Sequence, residues 1–170
     1  LDVFEAPITD WDLVMKWLFD RVVGALILLA ALAVMALVAL AIKLDSPGPV
    51  LFRQKRFGFN NERIDVFKFR SLYHDQADPL ATKVVTKNDS RVTRVGRFIR
   101  KTSLDELPQL INVLKGDMSL VGPRPLPAGD LDLDGLSREH AFWAHERTRV
   151  LPGIAGLWQV RGRSSLGFDD

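Results

Sequence analysis

The sequence predicts an α/β (α+β) chain, mostly helical, with one long N-terminal membrane-embedded, re-entrant helix and a small cytoplasmic domain containing short strands. Three observations predict it. Val22 to Ile42 is a run of 21 residues with no charged or strongly polar side chain. Ile64 to Arg70 reads as a strand, whose period of two puts Phe67 and Phe69 on one face and Lys68 and Arg70 on the other. Arg91 to Lys101 sets its arginines three apart, along one side of a helix. The first observation divides the 170 residues into a lead-in with a membrane helix, 1–43, and a polar remainder, 44–170.

Taken in order, the apolar run would make about 31 Å of helix, enough for the hydrocarbon core of a bilayer. A soluble helix of that length would show a polar face. A signal peptide fits poorly, because the run is too long and no small-residue cleavage site closes it. The predicted helix covers Asp12 to Lys43. Asp45-Ser46-Pro47-Gly48-Pro49 ends it, since proline lacks an amide hydrogen and restricts the residue before it. Lys16, Arg21, Lys43, Arg53, Lys55 and Arg56 cluster around both ends of the run. Cations favour the cytoplasmic side and anionic headgroups, so both ends point to a hairpin that enters and leaves by that face. No cysteine is present, which excludes disulfides and cysteine-ligated metals.

Beyond the membrane helix, Val50-Leu51-Phe52 reads as a short strand and Gly58-Phe59-Asn60-Asn61 as a turn. Ile64–Arg70 is the second strand, with Phe67 and Phe69 on one face and Lys68 and Arg70 on the other. Residues 74–90 read as a loop. The Arg91–Lys101 stretch holds five cations (Arg91, Arg94, Arg97, Arg100 and Lys101) and no acid. A helix is predicted from Leu104 to Leu114, with Lys115-Gly116-Asp117 as its stop. Residues 126–135 read as a linker, Arg138 to Arg149 as a short helix, and the end of the chain as a Gly-rich basic tail.

Ser103-Leu104-Asp105-Glu106 has the spacing of a capping box, with serine at the N-cap and glutamate three residues on. Pro108 works against a purely structural role, since it removes a hydrogen bond from the helix it would sit in. The same pair has a chemical reading. An aspartate near a helix start and close to arginines can attack phosphorus and form an acyl-phosphate. A neighbouring glutamate can hold a proton or help place a divalent cation. In Gly122-Pro123-Arg124-Pro125 two fixed φ angles bracket one arginine, a preorganised group suited to phosphoryl charge. Lys68 and Arg70, on one strand face, read either as a solvated edge or as phosphate contacts. The long apolar helix assigns the basic run to anionic lipid or a nucleotide substrate rather than to nucleic acid. There is no P-loop, no G-x-G-x-x-G and no H-E-x-x-H, and His140 and His145 do not share a helix face.

Asp45–Pro49, Lys68-Phe69-Arg70-Ser71, Arg97–Lys101, Thr102–Leu110, Asn112–Pro125 and Pro152–Val160 together resemble the bacterial sugar transferase family, the monotopic polyprenyl-phosphate phosphoglycosyl transferases. The resemblance runs from about Trp17 to the end of the chain, and the block Thr102–Pro125 is its most specific part. It implies transfer of a sugar phosphate from a UDP-sugar to polyprenyl (undecaprenyl) phosphate with release of UMP. That is the first membrane step of bacterial polysaccharide or glycoconjugate synthesis, at the cytoplasmic face of the inner membrane. It further implies that Asp105 is the nucleophile, that Glu106 assists the lipid phosphate, and that Mg2+ helps hold the phosphates, with Asp105 as a ligand. Arg100 would orient Asp105. Lys68, Arg70, Arg97 and Arg124 would bind substrate phosphate. Family members commonly break the membrane segment with a Ser-Pro or similar kink; here Leu28-Leu29-Ala30-Ala31-Leu32-Ala33-Val34 contains no proline. They also usually continue beyond this chain's last residues with amphipathic helices.

Overall fold

The computed structural model describes residues 10–80, 85–86, 89–127 and 148–156. Residues 138–147 of the predicted helix, most of the predicted linker, the tail and both His140 and His145 lie outside the described residues.

The apolar run lies within helix α1, Asp10–Asp45, a single helix of 36 residues. The expected hairpin is not formed. The segment has neither a proline nor a polar break between residues 22 and 42, so nothing interrupts its hydrogen-bond ladder. The helix is long and apolar enough to cross a membrane. Most of its surface is bare: Leu26, Leu29 and Leu37 are 62%, 68% and 68% exposed. One narrow stripe faces inward, at Asp20, Gly24, Val38, Ile42 and Ser46, with Lys16, Leu28, Ala31 and Met35 half-covered between them. These positions recur every three or four residues, so they share one side of the helix.

The two ends of α1 are tied to the same body. Near its start, Asp20 accepts the Leu120 N–H at 3.0 Å and Arg21 donates to the Val113 carbonyl at 3.1 Å. Lys16 bonds both Asp20 and Ser119. At its end, Asp45 accepts the Val95 N–H at 3.1 Å. Val38 and Ile42 join Phe69 and Ile99 in a buried cluster, flanked by Met35, Val50, Val95, Leu104 and Leu107.

Strand β1, Leu51–Phe57, is longer than the predicted Val50–Phe52. It pairs antiparallel with β2, Arg63–Phe69, over its whole length, from Leu51↔Phe69 to Phe57↔Arg63. The sheet order is β2-β1-β4, with β4 at Leu126–Pro127 and Arg56 opposite Pro127. A separate parallel pair joins β3, Ser119–Val121, to β5, Gly153–Ala155. Helix α2 covers Arg94–Lys101, and Thr93 caps it by accepting the Gly96 N–H at 2.9 Å. Gly96 is required there: a Cβ would lie 2.0 Å from the Ser71 carbonyl oxygen.

The predicted helix 104–114 is two pieces, and the capping box is not formed. Leu104–Glu106 is a 3₁₀ turn, and α3 runs from Gln109 to Lys115. Ser103 takes a left-handed backbone, φ 61°, and its side chain does not cap the turn. Pro108, without an N–H, sits where the turn gives way to α3, with φ −62°. The predicted stop holds: Gly116 is left-handed, and the Gly116 and Asp117 N–H groups both return to Asn112 O at 3.0 Å.

Candidate active site

Residue alternation along β2 aims Lys68 at the space between the sheet, the 3₁₀ turn and the Gly122–Pro125 loop. A small cavity there is lined by Arg56, Lys68, Glu106, Gln109 and Arg124, with Val66, Pro125, Gly153 and Ile154 as its remaining walls. The Lys68 ammonium lies 3.5 Å from a Glu106 carboxylate oxygen. Asp105 is half-buried in the same turn. Its carboxyl is held above the ordinary 3.8, first by burial and then by the Glu106 charge, against the pull of Lys68 and Arg100. Lys68 is held below its ordinary 10.5, first by burial, with Arg56 and Arg124 acting the same way and Glu106 and Asp105 opposing. Two carboxylates therefore sit among four cations, Arg56, Lys68, Arg100 and Arg124. The surplus of two positive charges suits an anion of the diphosphate class.

Two neighbours fix this geometry. Asn112, on α3, is fully buried and treats β2 as a neighbouring strand would. Its Oδ1 accepts the Phe67 N–H at 2.9 Å and its Nδ2 donates to the Asp65 carbonyl at 2.7 Å. The Gly122–Pro125 loop is pinned by the close approach of Gly122 and Gly153. A Cβ on Gly153 would lie 2.0 Å from the Gly122 nitrogen.

Of the sequence-predicted residues, Lys68, Asp105, Glu106, Arg100 and Arg124 are brought together. Arg70 is not. It follows the last residue of β2, is 2% exposed, and turns to the far end of α1. There it donates to the Ser46 carbonyl at 2.7 Å and to the Ile42 and Pro47 carbonyls. A guanidinium on carbonyls at and just past a helix C-terminus is a structural anchor, and Arg70 lies away from the cavity where a phosphate contact was expected. Arg97 is exposed on α2 and does not line the cavity. Arg56 is the residue that the sequence reading placed with the membrane-flanking cations. It is 6% exposed and lines the cavity. The available signal was its alternation: Gln54 and Arg56 share a face with their cross-strand partners Val66 and Ile64, not with exposed Arg53 and Lys55.

For Mg2+, the described residues hold no cluster of three or more His, Cys, Asp or Glu side chains. Asp105 and Glu106 fit the other common arrangement, in which one or two carboxylates share the ion with substrate phosphates and water.

The bacterial sugar transferase family profile matches residues 11–170. The chain is 51% identical over 160 residues to "Undecaprenyl-phosphate glucose phosphotransferase" of Komagataeibacter xylinus, covering 92% of this chain and 29% of that one. It is 46% identical over 155 residues to "Exopolysaccharide production protein PSS" of Rhizobium leguminosarum bv. phaseoli, 89% of this chain and 76% of the other. A third relative is "UDP-glucose:undecaprenyl-phosphate glucose-1-phosphate transferase" of Escherichia coli, 44% identical over 160 residues, 94% of this chain and 34% of that protein. The chain thus spans about a third of the first and third of these proteins and three-quarters of the second. With the profile covering nearly every residue, and with the acidic turn and the Pro-Arg-Pro loop meeting at one cavity, the chain belongs to the bacterial sugar transferase family.

Proposed function

We propose that the chain carries the catalytic part of a membrane-bound phosphoglycosyl transferase. It takes a UDP-sugar and polyprenyl phosphate and forms polyprenyl-diphosphate-sugar and UMP. The observation that carries this reading is the half-buried Asp105–Glu106 pair beside Lys68, with Glu106, Lys68, Arg56 and Arg124 lining one cavity. The names of the relatives support the substrate class, undecaprenyl phosphate and UDP-glucose among them; a Salmonella relative is named for galactose.

The chemistry divides into two displacements. An Asp105 carboxylate oxygen attacks the phosphorus that bears the sugar; the bond from that phosphorus to the bridging oxygen breaks and UMP leaves with the electron pair. The resulting aspartyl phosphosugar is then attacked at the same phosphorus by an oxygen of the lipid phosphate. The Asp105 carboxylate departs and is regenerated. Lys68 and Arg124 hold phosphate oxygens, and Arg100 steadies the Asp105 anion. Glu106 sits 3.5 Å from Lys68, loose enough for an incoming phosphate oxygen to take its place. Mg2+ bound at Asp105 and Glu106 would neutralise diphosphate charge.

The same reading places the site at the cytoplasmic face of the inner membrane. A transmembrane span would separate the ends of α1 by a bilayer, yet both ends are tied to one body. We infer that α1 lies lengthwise in the cytoplasmic leaflet, with its bare apolar side in lipid.

The test is the intact mass of the protein after incubation with each of several UDP-sugars and no lipid. A gain of one sugar phosphate in the parent, absent from Asp105→Asn, is expected, with UMP released in a single burst. Full turnover by Asp105→Asn with no adduct in either protein would sink the assignment.

A further inference from the structure

Pro123 and Pro125 fix the backbone on both sides of Arg124, but two stiff residues do not by themselves decide where the loop points. Their carbonyl groups decide it. Pro123 O accepts the Gly153 N–H at 2.8 Å, and Pro125 O accepts Arg56 Nη1 at 3.0 Å. Arg56 Nη2 is steadied by Gln54 Oε1 at 2.9 Å, from the same face of β1. Gly122 N–H bonds Ala155 O at 3.0 Å. Beyond the loop, the chain pairs with β1 at Arg56↔Pro127 and Phe57↔Leu126. One side of the loop is therefore held by β5 and the other by a buried guanidinium.

We propose that Arg56 is a positioning residue for the transferase reaction. It clamps the Gly122–Pro125 loop to the strand that pairs with β2, and so sets the place of Arg124 opposite Lys68 and Glu106. The consequence for turnover rests on the function proposed above; the clamp itself does not. Burying an arginine is costly unless its donors are used, and here they are spent on a loop carbonyl and a strand glutamine. A misplacement of about 1 Å in a phosphate-binding group is enough for a rate loss on the order of 10²-fold.

Two measurements on the full chain in lipid nanodiscs test this. The first is amide hydrogen exchange in Arg56→Met and Arg56→Lys. Loss of the Pro125 anchor should speed exchange at Gly122, Arg124 and Leu126 by about tenfold or more, while Val113 and Met118 stay protected. Lysine, with one donor group where the guanidinium reaches two acceptors, should give a smaller increase. Unchanged loop exchange in both variants would overturn the clamp, whatever the protein's activity. The second is a double-mutant cycle on UMP release, using the UDP-sugar on which the parent is fastest. Arg56→Met alone should lose about 10–100-fold in turnover. In the Arg124→Ala background it should lose no more than about threefold further, because its effect passes through Arg124. A full, additive loss would overturn the proposal and assign Arg56 to the substrate directly. A parent that releases no UMP would remove the transferase reading and leave the exchange measurement to decide the clamp.

Discussion

Burial disfavours the charged forms of Asp105 and Lys68, moving the titration of the first up and of the second down. On the mechanism proposed above, turnover needs an ionised Asp105 and a charged Lys68. The pH–turnover curve should therefore be narrowed from both sides, with an acid limb above the ordinary aspartate 3.8 and an alkaline limb below the ordinary lysine 10.5. Glu106 is adjacent, so the acid limb belongs to the carboxylate pair rather than to one residue. The stability consequence has the opposite sign from a salt-bridged carboxylate. As pH rises from 3.8, the unfolded chain releases the Asp105 proton before the folded chain does, and folding is progressively disfavoured up to the raised folded value. Asp105→Asn removes that penalty. It should unfold at a higher temperature than the parent at neutral pH, with the gain vanishing at pH 3.8 and below. A gain independent of pH would show that burial of the charge is not its source. Turnover by the same variant should be nearly abolished, so stability and activity move apart.

At the scale of elements, what the sequence discloses is what depends on near neighbours. The apolar run, the alternation at Lys68 and the glycine stop at Gly116 are local patterns, and each could be read directly. Several of the failures have distant causes. β1 is hidden because Arg53 and Lys55 look like loop residues until β2 and β4 pair on both sides of the strand. Arg70 looks like a strand cation, but its acceptors lie 23 to 28 residues earlier at the end of α1. The acidic turn imitates a capping box, yet Pro108 and the left-handed Ser103 shorten it to a 3₁₀ turn. Asp105 and Glu106 were legible as types and not as geometry. Asn112 gave no signal at all, because its role is to satisfy a strand edge some 45 residues away. It also yields a sharp expectation. Asn112→Ala leaves the Phe67 N–H and the Asp65 carbonyl without that partner, at about 1–3 kcal/mol each. Denaturant unfolding in detergent should show a loss of about 2–5 kcal/mol. A loss under about 0.5 kcal/mol, the level of an ordinary surface change, would mean that α3 and β2 do not depend on this side chain.

Over the whole molecule, the relation of α1 to the bilayer is open to direct measurement because the chain has no cysteine of its own. Leu18, Leu29 and Leu40 are all exposed and lie 11 residues apart, close to one line along the helix. Single cysteines there, carrying nitroxide labels in nanodiscs, should report similar shallow depths if α1 lies lengthwise. A deep maximum at Leu29 between two shallow ends would instead describe a span. Asp12→Cys and Lys43→Cys should both resist a reagent confined to the periplasm. The inward stripe of α1 carries a further meaning. Val38 and Ile42 do not merely touch the rest of the chain; with Phe69 and Ile99 they are one of its buried clusters, and Arg70 closes on the carbonyls beside them. The long apolar helix is thus also an interior wall. A protease that severed the chain near Lys43 would not release a water-soluble enzyme. It would strip Phe69 and Ile99 of the cover that Val38 and Ile42 give them and take the Ile42 carbonyl from Arg70, leaving that side chain only Ser46 and Pro47. If α1 lies in the membrane as proposed above, residence there and folding of the described domain are one condition.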